Sequence, residues 1–198
     1  MSMPYILVVY YSRYGKTKDL AYKIAEGVIN VDAIEVKVRT VPEVASLTET
    51  PSSPAEQTEL YVTEDELKNC AGLIIGSPTY FGNMAAAMKH FFDSTSDLWM
   101  TGALINKPAG VFTSTGGMHA GQEATLLSMM LPLLHHGALI TGIPYSCKAL
   151  HSTTTGGGPY GASHHAGGVI ANPISKDEAD VCKTLGETIA KLAKRLQS

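Results

Sequence analysis

The sequence predicts an α/β fold in which helices cover both faces of a five-stranded parallel sheet of order 2-1-3-4-5. Three observations lead to this doubly wound fold class. The apolar runs at 5–11 and 72–76 contain β-branched residues, as expected of strands buried on both faces. Strand and helix patterns alternate along the chain, which is typical of parallel sheets. The 198 residues are 44% apolar and 17% charged, enough for one well-buried core.

The predicted elements follow one another as strand, helix, strand, insertion, three helix–strand pairs and a last helix. The second strand alternates apolar and charged residues, a pattern typical of a half-exposed edge strand. Right-handed crossovers favour the order 2-1-3-4-5, with a switch point between strands 1 and 3. The strands are predicted at 5–11, 33–39, 72–76, 109–115 and 138–143, and the helices at 20–28, from 63, at 84–95, at 122–134 and from 175 to 196.

Local signals mark several helix ends. Thr63 with Glu66, and Ser175 with Glu178, have the spacing of capping boxes, so a helix is expected to begin after each pair's first residue. Pro132 has no amide hydrogen to donate, so it is expected to end or bend the helix that contains it.

One domain is expected to span residues 1–198, because the chain has no internal repeat and no linker. Two segments without a clear period interrupt the predicted elements. Residues 40–62 are rich in Pro, Ser, Thr and Glu, which indicates an insertion. Residues 144–173 are rich in Gly, His and Thr and are predicted to form a functional loop, in which we expect His164 and His165 to be exposed.

Composition and charge argue against several classes of function. A net charge of −3 without a basic block argues against a nucleic-acid partner. Three cysteines without a CxxC pair argue against a disulfide framework and favour a reducing cytoplasm, and Cys182 is expected to be buried. The N-terminus lacks the features of a signal peptide, and no apolar run approaches the roughly 20 residues that span a bilayer, so no membrane association is expected. Seven histidines without an HExxH motif argue against a metal site.

Three polar loops, at 12–17, 77–83 and 113–121, follow predicted strands where ligands of such sheets bind. The first, SRYGKT, combines hydroxyls, a glycine and a helix N-terminus, which predicts an anion site. Tyr10 stands where a Walker A loop needs glycine, and the lone glycine excludes a dinucleotide fingerprint. A phosphate monoester is therefore the predicted ligand, with an ordinary turn as the open alternative.

The other two loops offer surface and backbone to a ligand. Tyr80 and Phe81 present aromatic faces suited to a flat ring, although Phe81 by itself is more simply explained as a core residue. The glycines of 113–121 let backbone amides approach a ligand closely, and the alternative is a merely flexible loop. The three signals are individually weak, and their convergence at three strand ends strengthens them.

Nearly the whole chain resembles the WrbA family of NAD(P)H:quinone oxidoreductases, which are flavodoxin-like, FMN-dependent and usually tetrameric. The insertion after the second strand and the Gly-rich loop before the last helix are also features of that family. So many motifs in the same order are not expected by chance. The matching segments are YYSRYG (10–15), GSPTYFGNM (76–84), LW (98–99), VFTSTG (111–116), GQE (121–123), HHG (135–137) and PYGA (159–162).

The resemblance implies a role for each matching position. Tyr14 would also contact the nicotinamide nucleotide, and no residue distinguishes NADH from NADPH. The residues implied for the FMN phosphate are Ser12, Arg13, Tyr14, Gly15, Lys16 and Thr17. Those implied for the isoalloxazine ring are Pro78, Thr79, Tyr80, Phe81 and Gly82. Those implied for the ring edge and the ribityl chain are Ser114, Thr115, Gly116 and Gly117.

Trp99 and His136 are the implied catalytic residues. Trp99 would face the substrate pocket, and one of His135 and His136, with His136 favoured, would approach the flavin and donate a hydrogen bond or proton to the quinone oxygen. Both residues follow predicted helices and are therefore expected near the amino ends of the strands, away from their own chain's flavin. We expect a homotetramer in which a neighbouring subunit supplies them.

The implied reaction is a two-electron, ping-pong reduction of quinones by NADH or NADPH through one shared pocket. The alternatives are a flavodoxin-type electron carrier and an FMN-containing regulatory or binding module. Tyr80 departs from the arginine common in the family after Pro-Thr, and Lys16 stands where some members have histidine. The loop 117–120 differs in length from some members. These departures affect the expected charge near the flavin.

Overall fold

The protein is built on one parallel sheet with helices on both faces. The computed structural model describes residues 3–45, 59–168 and 171–197. The strands are β1 (Tyr5–Tyr10), β2 (Glu35–Thr40), β3 (Gly72–Tyr80), β4 (Asn83–Met84), β5 (Pro108–Thr115), β6 (Leu139–Ile140) and β7 (Ala162–His165). The helices are α1 (Lys16–Ile29), α2 (Glu64–Asn69), α3 (Ala86–Asp93), α4 (Ser96–Met100), α5 (Gln122–His135), α6 (Ala149–Ser152) and α7 (Lys176–Leu196).

The parallel strands lie in the order β2-β1-β3-β5-β6, which confirms the predicted order. The half-exposed strand β2 lies at the edge, as its alternating pattern predicts. Strand β3 runs to Tyr80, beyond the predicted end at 76, because β4 folds back and pairs antiparallel with its last two residues. Part of the predicted loop 77–83 is therefore strand.

The fifth position of the sheet is filled by two short strands, so the single strand predicted at 138–143 is wrong. Strand β6 pairs with the start of β5, and β7 pairs with its end. Between them the chain leaves the sheet, because the Ile143 amide donates to the carbonyl of Pro159 at 2.8 Å and does not continue the ladder to β5. The segment between β6 and β7 thus replaces the middle of a strand.

Two apolar cores lie on the two faces of the sheet. Along β1, Ile6 and Val8 join the core beneath α1 and α7, whereas Leu7 and Val9 join the core beneath α3 and α5. This alternation, with all four side chains fully buried, is why the run at 5–11 is apolar throughout. Cys182 is fully buried in the first core, as expected.

Helices α1 and α7 cross at two glycines. A Cβ atom at Gly27 would lie 2.1 Å from the Lys183 carbonyl oxygen, and one at Gly186 would lie 2.1 Å from the Ile24 carbonyl oxygen. The two backbones are therefore in direct contact, and a side chain at either glycine would push the helices apart.

Both predicted capping boxes are present, at Thr63 before α2 and at Ser175 before α7. Helix α5 does not end at Pro132, since it continues through the proline to His135. Met129 and Leu133, on either side of the proline, are fully buried and hold this turn against the sheet. The predicted helix 84–95 is observed as the shorter α3, which β4 precedes and α4 follows.

The expectation that His164 and His165 lie in an exposed loop is also wrong, because both are on β7, and His165 is half-buried. His164 is on β7, opposite Ser114 of β5, and is fully buried. Of the predicted insertion 40–62, residues 46–58 lie outside the described residues. Within the described ranges no helix is long and apolar enough to cross a membrane, and no group of three or more His, Cys, Asp or Glu residues is arranged to hold a metal ion.

Candidate functional site

A cavity of about 380 Å³ opens at the carboxyl ends of β1, β3 and β5. This volume lies in the usual range of small-molecule sites, about 300–1,000 Å³. All three predicted loops contribute to it, together with a fourth part of the chain, residues 166–168 and 171. The lining residues are Ser12, Arg13, Tyr14, Lys16 and Thr17, then Pro78, Thr79 and Tyr80, then Ser114, Thr115 and Gly116, and finally Ala166, Gly167, Gly168 and Ala171.

One end of the cavity is built to hold an anion. Gly15 caps α1 in the left-handed region, at φ 83°, and no side chain caps the helix. The first amides of α1 are thus free to donate to a ligand. The Ser12 hydroxyl is buried and has no hydrogen-bond partner in the described part of the chain. A buried hydroxyl without a partner costs free energy, which a ligand oxygen would recover.

Further donors lie beside Ser12. The hydroxyls of Thr17 and Ser114, both buried, are 2.8 Å apart and hydrogen-bonded to each other. Such a pair uses one hydroxyl proton and leaves the other for an acceptor. Lys16 adds a positive charge, and its Nζ donates to the Asn172 carbonyl at 3.3 Å. This set of donors fits the phosphate of FMN.

Thr79 is held by a chain of hydroxyls. Thr113 donates to the Ser77 carbonyl at 2.7 Å, so its oxygen is left to accept from Thr79 at 3.2 Å. Thr79 in turn accepts from Thr125 at 3.2 Å. The Thr79 proton is therefore used within the protein, and its contribution to a ligand would come from its backbone and methyl group.

Phe81 and Gly82 form the turn between β3 and β4, and both have positive φ, at 52° and 75°. The Phe81 side chain is fully exposed, so the interpretation of Phe81 as a core residue is wrong. Phe81 and Gly82 are outside the cavity lining, and so is Gly117, whose carbonyl accepts from Thr115 at 2.9 Å. The predicted ring-binding residues that line the cavity are thus Pro78, Thr79 and Tyr80.

The fourth wall, formed by residues 166–168 and Ala171, lies in the segment 144–173 that was predicted to be a functional loop, but the sequence did not place this segment at the cavity. Asn172 shapes it, because its amide donates to the Ala166 carbonyl and its side chain donates to the His165 carbonyl. Ala166 is joined to β5 through the Thr115 carbonyl at 2.8 Å. The Gly-rich composition of this stretch was the available signal for a wall that approaches a ligand closely.

Glu178 anchors this wall from α7. Its carboxylate accepts from the amides of Gly156, His165 and Ser175 and interacts with the His164 ring at 3.0 Å. Burial opposes the charged form, but the hydrogen bonds from His164, Ser175 and His165 prevail and lower the pKa of Glu178 to about 2. A buried carboxylate therefore connects the insertion, β7 and α7 behind the cavity.

Comparison with known proteins identifies the family of this chain. Residues 6–146, which include all three predicted loops, match the model of the NADPH-dependent FMN reductase family. The chain belongs to this family. It is 39% identical over 201 residues to the NAD(P)H dehydrogenase (quinone) of Solidesulfovibrio magneticus, a match that covers 98% of this chain and 99% of that protein.

Solved structures confirm the flavodoxin-like fold of this family member. A WrbA-like flavodoxin from Agrobacterium tumefaciens superposes with a TM-score of 0.66 at 22% identity, covering 97% of this chain and 98% of that one. A flavodoxin from the domain Archaea gives a TM-score of 0.62 at 22% identity, covering 96% and 99%. The family and the fold together make the chain an FMN-dependent oxidoreductase that uses NAD(P)H.

A second hollow of about 420 Å³ lies at the opposite, amino edge of this FMN reductase-family protein. It contains Trp99 and His136, so neither residue reaches the cavity at the carboxyl edge of its own chain. Trp99 lies within α4, not after a helix as expected, and its indole donates to the His135 carbonyl at 2.9 Å. About half of the Trp99 surface is exposed.

The ring of His136 is buried, and its surroundings favour the neutral form. Thr95 donates its proton to the Phe92 carbonyl at 2.7 Å, so the His136 Nε2 must donate to the Thr95 oxygen at 2.9 Å. The buried Nδ1 then carries no proton, and it has no partner among the described residues. Burial and the neighbouring His135 lower the pKa of His136, which opposes its protonation. His136 is therefore set to accept a hydrogen bond through Nδ1, whereas the expectation was a donor.

Proposed function

We propose that the protein is an NAD(P)H:quinone oxidoreductase with FMN bound in the cavity at the carboxyl edge. The observation that carries this proposal is the unpartnered, buried Ser12 hydroxyl beside the uncapped N-terminus of α1. The hydroxyl and the free helix amides together favour an anionic ligand, which the phosphate of FMN would supply. The name of the Solidesulfovibrio magneticus relative supports a quinone as the electron acceptor.

In this assignment the protein would bind and orient FMN and shield it from water. The bound FMN would accept a hydride from NAD(P)H and transfer two electrons to a quinone. Thr17, Ser114 and Lys16 would hold the phosphate end. Pro78 and Tyr80 would lie along the ring, and the wall at 166–168 and Ala171 would exclude water from its other side.

The hollow at the amino edge supports a second part of the proposal, self-association as a homotetramer. Trp99 and the exposed His135 offer an apolar and a polar surface at a place remote from their own cavity. We infer that one subunit's hollow covers the cavity of another, so that Trp99 and one of His135 and His136 complete the quinone site; the exposed His135 is the one with a free ring surface. Three free, buried cysteines fit a reducing compartment, and we place the enzyme in the cytoplasm.

Steady-state oxidation of NADH and NADPH by the FMN-loaded protein, with benzoquinone varied, tests the proposal. A quinone that enters the pocket only after the oxidised nucleotide has left gives parallel double-reciprocal lines. Intersecting lines would refute the shared pocket. Bound FMN with no turnover of either nucleotide would refute the reductase and favour an electron carrier or a regulatory module.

A further inference from the structure

Arg13 holds a positive charge at the mouth of the cavity, apart from the donors described for the FMN phosphate. It is exposed and lies in the turn between β1 and α1. Its guanidinium carbon lies 5.6 Å from the centre of the Tyr14 ring, within the usual range of a cation–π contact. The guanidinium also interacts with the Tyr80 hydroxyl from the end of β3, which raises the pKa of Arg13. Tyr14 from the same turn and Tyr80 from the end of β3 therefore hold this cation.

The charge of Arg13 is available to a ligand. Among the described residues no carboxylate forms a salt bridge with Arg13, whereas Arg39 is paired with Glu66. The anion end of the cavity already has Ser12, the first amides of α1 and Lys16. A guanidinium with planar, paired donors is suited to a further phosphate group.

The second substrate of the proposed reaction carries such a group. For hydride transfer the nicotinamide must lie against the ring of FMN, beside Tyr80. The diphosphate of the nucleotide is one ribose away from the nicotinamide, and Arg13 lines the same cavity as Tyr80. The 2′-phosphate that distinguishes NADPH from NADH lies farther out, on the adenosine.

We propose that Arg13, positioned by Tyr14 and Tyr80, binds the diphosphate of the incoming nicotinamide nucleotide. This assignment rests on the proposed function and makes Arg13 a substrate-binding residue, not a ligand of the FMN phosphate. It also explains the tyrosine at position 80: the cation comes from the neighbouring loop, and the Tyr80 hydroxyl orients it. Because the side chains of Arg13 and Tyr80 are in contact, an arginine at position 80 would bring a guanidinium to nearly the same place.

The test is calorimetric titration of NAD⁺ and of NADP⁺ into the FMN-loaded protein, which measures binding without turnover. Arg13→Ala is expected to raise the Kd of both nucleotides by the same factor, about five- to tenfold, because both lose the same phosphate contact. The Kd of FMN is expected to stay unchanged. Tyr80→Phe should raise the nucleotide Kd by a smaller factor, and the double variant Arg13→Ala with Tyr80→Arg should restore most of the affinity.

Lys191→Ala is the matched control, because Lys191 is an exposed cation on α7 already paired with Glu187. It should leave both Kd values unchanged. An unchanged nucleotide Kd in Arg13→Ala would overturn the proposal. So would a loss confined to NADP⁺, which would indicate the 2′-phosphate, and so would an equal loss of FMN affinity. Failure of the wild-type protein to oxidise NAD(P)H would instead refute the proposed function, and the two failures are thus distinguishable.

Discussion

The two edges of the sheet carry two hollows of similar size and opposite character. The carboxyl-edge cavity contains the buried Ser12 hydroxyl, which has no partner among the described residues, and the uncapped N-terminus of α1. The donors of a single chain therefore favour the binding of an anionic ligand there. At the amino edge the Trp99 indole and the His136 Nε2 already have partners within the chain, and the Trp99 face is exposed. The first edge is built for a small molecule, and the second offers a surface to another subunit.

The largest effect is expected at the anchor behind the carboxyl-edge cavity. Glu178→Ala leaves the His164 ring and three backbone amides without their buried acceptor, so the free energy of unfolding should fall by about 3–5 kcal/mol. Urea unfolding at neutral pH measures it. Glu123→Ala, which removes an exposed carboxylate from the first turn of α5, is the control and should change stability little.

The same carboxylate gives the carboxyl edge a pH dependence. Since folding lowers the pKa of Glu178 from its ordinary 4.5 to about 2, its contribution is complete above about pH 4.5 and is lost as the pH falls towards 2. The difference in stability between wild type and Glu178→Gln should therefore shrink over that interval. A difference that stays constant down to pH 2 would show that the charge of Glu178 does not stabilise the fold.

At the amino edge, Trp99→Ala distinguishes the roles of the two hollows. If the Trp99 face is the centre of a contact between subunits, its loss should weaken self-association at least about thirtyfold, as for a buried aromatic anchor. The Kd of FMN should stay unchanged, because Trp99 is remote from the carboxyl-edge cavity. Sedimentation and FMN titration of the same sample measure both quantities. Loss of FMN affinity with intact assembly would reverse the assignment of the two edges.

A smaller effect with an unusual sign is expected at Ser12. Ser12→Ala should raise the Kd of FMN about tenfold, since a hydrogen bond to a charged phosphate is lost. The stability of the protein without FMN should be unchanged or higher, because a buried hydroxyl without a partner is removed. Thermal unfolding with and without FMN reveals the opposite signs. Lower stability of Ser12→Ala without FMN would mean that the hydroxyl has a partner in the free protein.

The smallest effect concerns the protonation of His136. Since burial lowers its pKa below the ordinary 6.5, the unfolded chain takes up a proton first, and stability should decline slightly as the pH falls below 6.5. His136→Gln should flatten this part of the pH profile. His135→Gln removes only the smaller of the two causes of the lowered pKa, so most of the decline should remain.

The sequence predicted most of the carboxyl edge because its determinants are local. The apolar runs, both capping boxes and the strand order follow from periodicity and short motifs, and the switch-point rule then places loops 12–17, 77–83 and 113–121 together. The sequence predicted a functional loop at 144–173 but did not place the wall at 166–168 and Ala171 beside the cavity, because that position depends on Asn172 within the loop and on the distant Glu178 of α7. No pattern near His164 reveals that it pairs with Glu178 in the interior.

The split fifth strand was missed for the same reason. Whether 138–143 continues as a strand depends on the competition between β5 and Pro159 for the Ile143 amide, which lies outside any local window. Which ring nitrogen of His136 carries the proton likewise depends on the hydroxyl proton of Thr95, which is donated to the Phe92 carbonyl. Sequence therefore predicts which residues reach an edge of the sheet, and the hydrogen-bond network decides what they do there.

We propose that the carboxyl edge binds FMN within one chain, whereas the amino edge completes the quinone site only in the assembly. Quinone turnover and FMN occupancy should be measured together across a dilution series that spans the dissociation of the oligomer. Turnover per bound FMN should fall with the fraction of oligomer while FMN stays bound. Full turnover by the FMN-loaded monomer would refute this division between the two edges.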